Sequence, residues 1–141
     1  MTLRKATQAD AARIADLLTQ LDYPGTQVFI DDKIAELLAH PDEEIVVAVE
    51  NGGILGFISI HFIPQIALRG SFARISYLCV DAAARGKGIG RALEEYCVQA
   101  ATSRGCDRIE LHSHSRRQRA HAFYFRQGYE ESPKYLMKRL G

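Results

Sequence analysis

Apolar residues along this chain change period twice, and the changes mark its elements. Leu3 to Ala6 reads as a short strand. Thr7-Gln8-Ala9-Asp10 fits the capping-box order that opens a helix. Ile14, Leu17, Leu18 and Leu21 follow at i, i+3, i+4 and i+7, the stripe of an amphipathic helix. Tyr23-Pro24-Gly25 breaks it. Ile30, Ile34, Leu37 and Leu38 repeat the spacing up to Pro41, which lacks the N–H a helix needs.

The pattern then turns to strands. Glu44 to Glu50 is almost continuously apolar, as in a strand covered on both faces. Asn51-Gly52 signals a hairpin turn, and Ile54 to Ile63 is the return strand. Pro64 to Gly70 reads as a loop and Phe72 to Val80 as a third long strand. Helical spacing returns with Ile89, Leu93, Tyr96, Cys97 and Ala100, and Gly105 ends it. Arg108 to Ser113 is a strand. Ala120, Phe123 and Tyr124 belong to a helix ended by Gly128, and Tyr135 to Leu140 is a final strand. The predicted order is β-α-α-β-β-β-α-β-α-β, a mixed α/β layer fold with a central hairpin. A chain of 141 residues can bury one core but not two, so residues 1–141 are read as a single domain.

Charge narrows the function. Eighteen basic side chains balance 17 acidic ones, for a net charge of +1. A general binder of nucleic acid or acidic membrane would be far more basic. The first residues contain no apolar core of a secretory signal, and no apolar run approaches the ~18 residues of a membrane span. The cysteines Cys79, Cys97 and Cys106 are odd in number and lack C-x-x-C spacing. A disulfide framework and a structural zinc site are therefore not expected, nor any other metal. The chain reads as cytoplasmic and reduced.

The most informative stretch is Arg85-Gly86-Lys87-Gly88-Ile89-Gly90-Arg91, between a strand and a helix. Alternating glycines let the backbone approach a ligand and turn successive N–H groups inward. On a helix N-terminus such a nest binds anions, and Arg85, Lys87 and Arg91 add charge. The expected ligand is a phosphate or pyrophosphate. No G-x-x-x-x-G-K-[ST] run exists, which rules out a Walker loop. A dinucleotide fingerprint fits Gly86 and Gly88, with Glu110 at ribose distance, but puts Arg91 where its third glycine belongs. That reading stays open, as does a plain glycine-rich turn without a ligand.

The run Arg85-x-x-Gly88-x-Gly90 also resembles the acetyl-CoA motif of the GNAT superfamily of N-acetyltransferases. Leu78-Cys79-Val80-Asp81 resembles that family's bulged fourth strand, and Ala120-His121-Ala122-Phe123-Tyr124-Phe125-Arg126-Gln127-Gly128-Tyr129 resembles its A-x-x-F-Y-x-x-x-G-[FY] segment. The element order matches along the whole chain. The resemblance implies a mostly antiparallel central sheet flanked by helices, acetyl-CoA as cosubstrate, and acetyl transfer to a primary amine by direct attack. Backbone groups of Leu78, Cys79 and Val80 would hold the pantetheine arm, with one N–H polarising the thioester carbonyl. Residues Arg85, Gly86, Lys87, Gly88, Ile89, Gly90 and Arg91 would grip the pyrophosphate. Ala120 and Arg117 would also meet the cofactor, although Arg117 stands where the family often has Asn. Tyr124 would act as general acid toward the departing sulfur.

The base that takes the amine proton is not named by any motif. His61, His112 and His114 are candidates, directly or through water; His61 and His112 lead. Glu110 alternates with His112 and either orients it or is solvated. Arg116-Arg117-Gln118-Arg119 places cations at a helix start, where they oppose the dipole unless an anion binds. This segment, with Gly128-Tyr129-Glu130, is similar to aminoalkylphosphonate N-acetyltransferases. Their acidic residue on the fourth strand is absent here, where Arg74, Ser76 and Tyr77 stand. The expected acceptor is a small amine, preferably one with an anionic group; Arg69 and Arg74 add to the positive side. Asp31, Asp32, Asp42, Glu43 and Glu44 would suit a polycationic amine instead. A homodimer is compatible with these features. The competing function is a CoA-binding sensor or interaction module without catalysis.

Overall fold

Register explains how the apolar runs become layers. In the computed structural model, which describes residues 1–113, 117–132 and 135–141, the chain divides into two compact units, Met1–Glu110 and Leu111–Gly141. The first opens with β1 (Thr2–Lys5), a 3-10 turn at Gln8–Asp10 and α1 (Ala11–Gln20). It continues with α2 (Ile30–Ala39), β2 (Glu43–Glu50), β3 (Gly53–Ile63), β4 (Phe72–Val80) and α3 (Ile89–Ser103), and ends in β5 (Arg108–Leu111). The strands form one five-stranded sheet in the order β1-β2-β3-β4-β5.

The first four strands pair antiparallel. The β2–β3 hairpin turns at Asn51 and Gly52, whose φ angles of 51° and 79° are both positive. Contacts between β4 and β5 advance together: Asp107 N–H donates to Ser71 O (2.8 Å), and Arg74 reaches Glu110 three residues on. β5 therefore runs parallel to β4, and the sheet is mixed.

Residues opposite each other across a ladder share a face. Val46, Ile58 and Leu78 form one such row, and Val47, Phe57 and Cys79 the next. The first face packs under α3, against Ile89 and Leu93. The second forms a core with Ile14, Leu17 and Leu18 of α1 and Ile30 and Ile34 of α2. Both faces of β2 are covered, hence its continuous apolar run.

A β-bulge interrupts β4. Ile60 pairs with Ile75, but Ser59 pairs with Tyr77, so Ser76 has no residue opposite it. The extra residue reverses the alternation. Ala73 and Ile75 face α3, whereas Tyr77 and Cys79 face α1. Simple parity would have put all four on one side.

Most elements fall within a residue or two of the sequence reading. β5 stops at Leu111 rather than Ser113. In the second unit, α4 (Gln118–Arg126) ends at Gly128, with φ 95°. The last expected strand is absent: Tyr135–Leu140 has no regular structure. Tyr135, Leu136, Met137 and Leu140 are 57–92% exposed, so alternation along this segment buries no face. A strand without a partner ladder has little to hold it.

Asp10 ties β1 to α1. Its carboxylate accepts the Thr7 N–H (2.8 Å) and two bonds from the Arg4 guanidinium (2.8 and 3.0 Å) while almost buried. The Arg4 bond holds the carboxyl below its ordinary range. A depressed folded-state value stabilises the fold above the ordinary ~3.9, and this contribution is lost as pH falls through the depressed value. Asp10→Ala should cost about 1–3 kcal/mol near pH 7. Urea unfolding should show that cost shrinking as pH drops below about 4; an equal cost at both pH values would refute the linkage.

Candidate active site

The glycine loop follows directly from the end of β4. Asp81 N–H donates to Leu55 O (2.8 Å) on β3. Amides alternate between the two edges of a strand, so the amides of Val80 and Leu78 point away from β3, and that of Cys79 toward it. β5 has four residues and β4 nine, so β5 is too short to cover the end of β4 that carries Leu78 and Val80. The Cys79 side chain is buried in the α1–α2 core.

Asp81 caps a 3-10 turn at Ala82–Ala84 by accepting Ala83 N–H (2.9 Å), and Arg85 is extended. Gly86 and Gly88 then adopt φ of 84° and 78°, the left-handed region open to glycine. Apart from its chain neighbours, a Cβ on either would meet no atom of the described residues within 4 Å. Conformation rather than crowding requires glycine there, and the space above the loop is open. Gly88 is the N-cap of α3, and no acidic residue sits in the first turn. Leading N–H groups of a helix lack intrahelical acceptors, so the loop aims Ile89, Gly90 and their neighbours at an uncancelled positive dipole end. Arg85 and Lys87 are exposed beside it; Arg91 is bonded to Glu95 (3.0 Å). The arrangement can hold an anion at the loop and an extended chain along the edge of β4.

The loop is braced from α1 by residues that carry no sequence signal. Arg13 donates through Nε to Ile54 O (3.0 Å) and through Nη2 to Asp81, while Gln20 accepts Ala82 N–H (2.9 Å). The Ala83 N–H and the Arg13 guanidinium hold the Asp81 carboxyl below its ordinary range. In the sequence both are merely polar positions on an amphipathic helix, and only the fold brings them to the end of β4.

A second cluster lies on the α1 face of the sheet. His61 on β3 stands between its register partners Glu43 on β2 and Arg74 on β4. Its Nδ1 pairs with Glu43 Oε1, and the His40 ring lies edge-on at 5.8 Å. Burial pushes the Glu43 carboxyl up, against the pull of His61. Arg74 Nη2 donates to Glu110 Oε1 (3.1 Å). Past the bulge, Tyr77 packs edge-on against Tyr23 at 5.3 Å. Glu43 thus leaves the list of acids available to a polycation and becomes the partner of a histidine.

In the second unit, Arg117 is the N-cap of α4 and is exposed, as is Arg119. Tyr124 packs edge-on against Phe123 (5.2 Å) and Tyr129 (5.5 Å), and Ala120 lies one turn before it. His112 is exposed and stacked on Tyr135 at 4.2 Å. His114 and Arg116 lie outside the described residues. Among the described residues, no group of three His, Cys, Asp or Glu is arranged to hold a metal ion, and no helix is long and apolar enough to cross a membrane.

The first unit is therefore an α/β layer that presents a glycine loop and a helix N-terminus at the end of a bulged strand. Comparison with known proteins gives that description a family. The profile of the Acetyltransferase (GNAT) family matches residues 11–129. An aminoalkylphosphonate N-acetyltransferase from Salmonella typhimurium is 35% identical over 135 residues, covering 92% of this chain and 85% of that protein. Among solved structures, a transcriptional regulator from Bacillus halodurans C-125 matches with a TM-score of 0.90 at 27% identity, over 99% of each chain. An acetyltransferase from Trypanosoma brucei matches with a TM-score of 0.83 at 23% identity, also over 99% of each chain, and speaks for the fold alone. The chain belongs to the GNAT family, and it is an acyltransferase.

The Arg13 brace predicts a local effect. Arg13→Ala should speed amide exchange across Ala82–Gly88 by about tenfold or more while leaving the centre of β2 unchanged. Exchange that rises equally everywhere would show a general loss of stability instead.

Proposed function

We propose that this chain is an acetyl-CoA-dependent N-acetyltransferase acting on a small primary amine, with residues 1–141 working as one domain in the cytoplasm. The observation that carries the donor assignment is the open loop at Gly86 and Gly88, which joins the end of β4 to an uncancelled helix N-terminus. The pyrophosphate of acetyl-CoA fits its charge. The outward amides of Leu78 and Val80 fit a pantetheine arm lying along the strand edge, one of them serving the thioester carbonyl. Arg85 and Lys87 are exposed cations there with no ion pair among the described residues, and Arg117 and Ala120 are further donor contacts by family likeness.

In the reaction, the amine nitrogen attacks the thioester carbon, the carbonyl oxygen takes up charge, and the C–S bond then breaks. Two protons are at issue. The one on the amine passes to His61, which Glu43 orients; a base held by a carboxylate is the recurrent arrangement. His112, stacked and exposed, has no such orienting carboxylate among the described contacts. The other proton reaches the departing sulfur from Tyr124. Ordinary values are about 8.5 for a thiol and about 10 for tyrosine, so tyrosine is a weakly driven acid, suited to a stabilising hydrogen bond. This role rests on the A-x-x-F-Y motif. The resemblance to the Salmonella enzyme and the basic residues on the chain support an acceptor with an anionic group. Thiol release from acetyl-CoA with a panel of amines is the direct test, and no release with any amine would leave only a CoA-binding module.

CoA at about 100 times Kd should raise the unfolding free energy by about 2.7 kcal/mol, and NAD should give no shift. Gly88→Val should remove the CoA shift, because a β-branched residue is strained at that φ. Stabilisation by NAD alone would revive the dinucleotide reading.

Tyr124→Phe should lower single-turnover acyl transfer by about 100-fold with KM for acetyl-CoA nearly unchanged. An unaltered rate would reduce Tyr124 to a packing residue.

A further inference from the structure

Four strands bring charged side chains to one end of the α1 face: Glu43 from β2, His61 from β3, Arg74 from β4 and Glu110 from β5. Glu43 is opposite His61, and His61 is opposite Arg74. Directly opposed residues have Cβ atoms about 4.5–5.5 Å apart, so the three stand in one short row.

Glu110 accepts from Arg74 (3.1 Å) and also pairs with Arg108 (3.5 Å). Two guanidiniums therefore share one carboxylate. Arg74 is also incompletely satisfied: its Nε is buried and has no hydrogen-bond partner among the described residues. A buried charged donor without an acceptor is costly, and the cost disappears when something else accepts. The Arg74 side chain is 37% exposed, so a guanidinium held at Nη2 keeps its outer Nη edge for a planar or tetrahedral oxyanion.

We infer that Arg74 anchors the acid group of the acceptor. The inference rests on the reading of the chain as an N-acetyltransferase of small acid-bearing amines, and it names the residue that selects them. The fourth-strand acid expected of aminoalkylphosphonate N-acetyltransferases is missing at this stretch. Arg74, Ser76 and Tyr77 stand there instead, and the nearest carboxylate to Arg74 on the next strand is Glu110.

The test uses the full chain with acetyl-CoA and three acceptors of similar length: aminoethylphosphonate, β-alanine and propylamine. Wild type should favour one or both acids over propylamine, and the better acid identifies the oxyanion. In Arg74→Gln the ratio of kcat/KM for the better acid to that for propylamine should fall about 10- to 100-fold, through KM more than kcat. Arg74→Lys should restore part of it, since lysine keeps the charge but not the fork. A ratio unchanged in Arg74→Gln overturns the inference. If Arg74→Gln fails to fold, seen as loss of stabilisation by CoA, Glu110→Gln serves instead. It frees the guanidinium and should lower KM for the better acid; an unchanged or higher KM overturns the proposal. If wild type acetylates none of the three, each acid is titrated calorimetrically into the CoA complex. Binding that Arg74→Gln abolishes supports the anchor, and no binding refutes it. Failure of the acetyltransferase reading looks different: no thiol release across the wider amine panel, whatever stands at position 74.

Discussion

A single extra residue in β4 sets the terms for the rest of the first unit. A regular strand shows one set of alternate side chains to one side along its whole length. β4 must fill the α3 layer with Ala73 and Ile75 and then the α1 layer with Cys79. The bulge at Ser76 makes both possible, because one unmatched residue shifts the following side chains to the other face. The same slip decides which amides beyond it face β3 and which face the open edge. Leu78 and Val80 offer theirs to the side that short β5 leaves uncovered.

Close packing then carries that geometry into the loop. Gly56 on β3 lies so near β4 and α3 that an added Cβ would stand 2.7 Å from Cys79 O and 3.2 Å from Ile89 Cγ2. Ile89 begins α3, so the helix start sits directly on the bulged strand. Asp81 joins the two, held by Arg13 and by the turn it caps. Acids in this region are engaged inside the framework, while Arg85 and Lys87 remain in solvent. Backbone donors and exposed cations at one point have the charge and geometry that would suit an anion.

Much of this was legible in the chain. Period located both early helices and the helix from Ile89, since these pack one continuous apolar stripe, and the Asn51-Gly52 turn signal located the hairpin. The glycine loop was legible because its positive φ angles leave glycine as the ready choice at Gly86 and Gly88. The last segment misled: Tyr135 to Leu140 has the residues of a strand, but its apolar side chains stay exposed and no ladder forms. The family likeness implied a bulge in this strand, but nothing in the residues placed it at Ser76, because register belongs to a pair of strands and not to one.

What the sequence determined by itself was therefore local: where backbone period, turn chemistry and caps place each element, and which loop takes positive φ angles at its glycines. Motifs reaching across the chain added the family. The tertiary structure decided which charges meet. Glu43 lies 18 positions from His61, and Arg74 is 36 from Glu110; nothing at those separations is readable from spacing. Arg13 became a brace and Glu43 the partner of a histidine only when the strands took their register. Ion pairs depend on distances of a few ångströms, and for residues far apart along the chain only the folded sheet sets such distances.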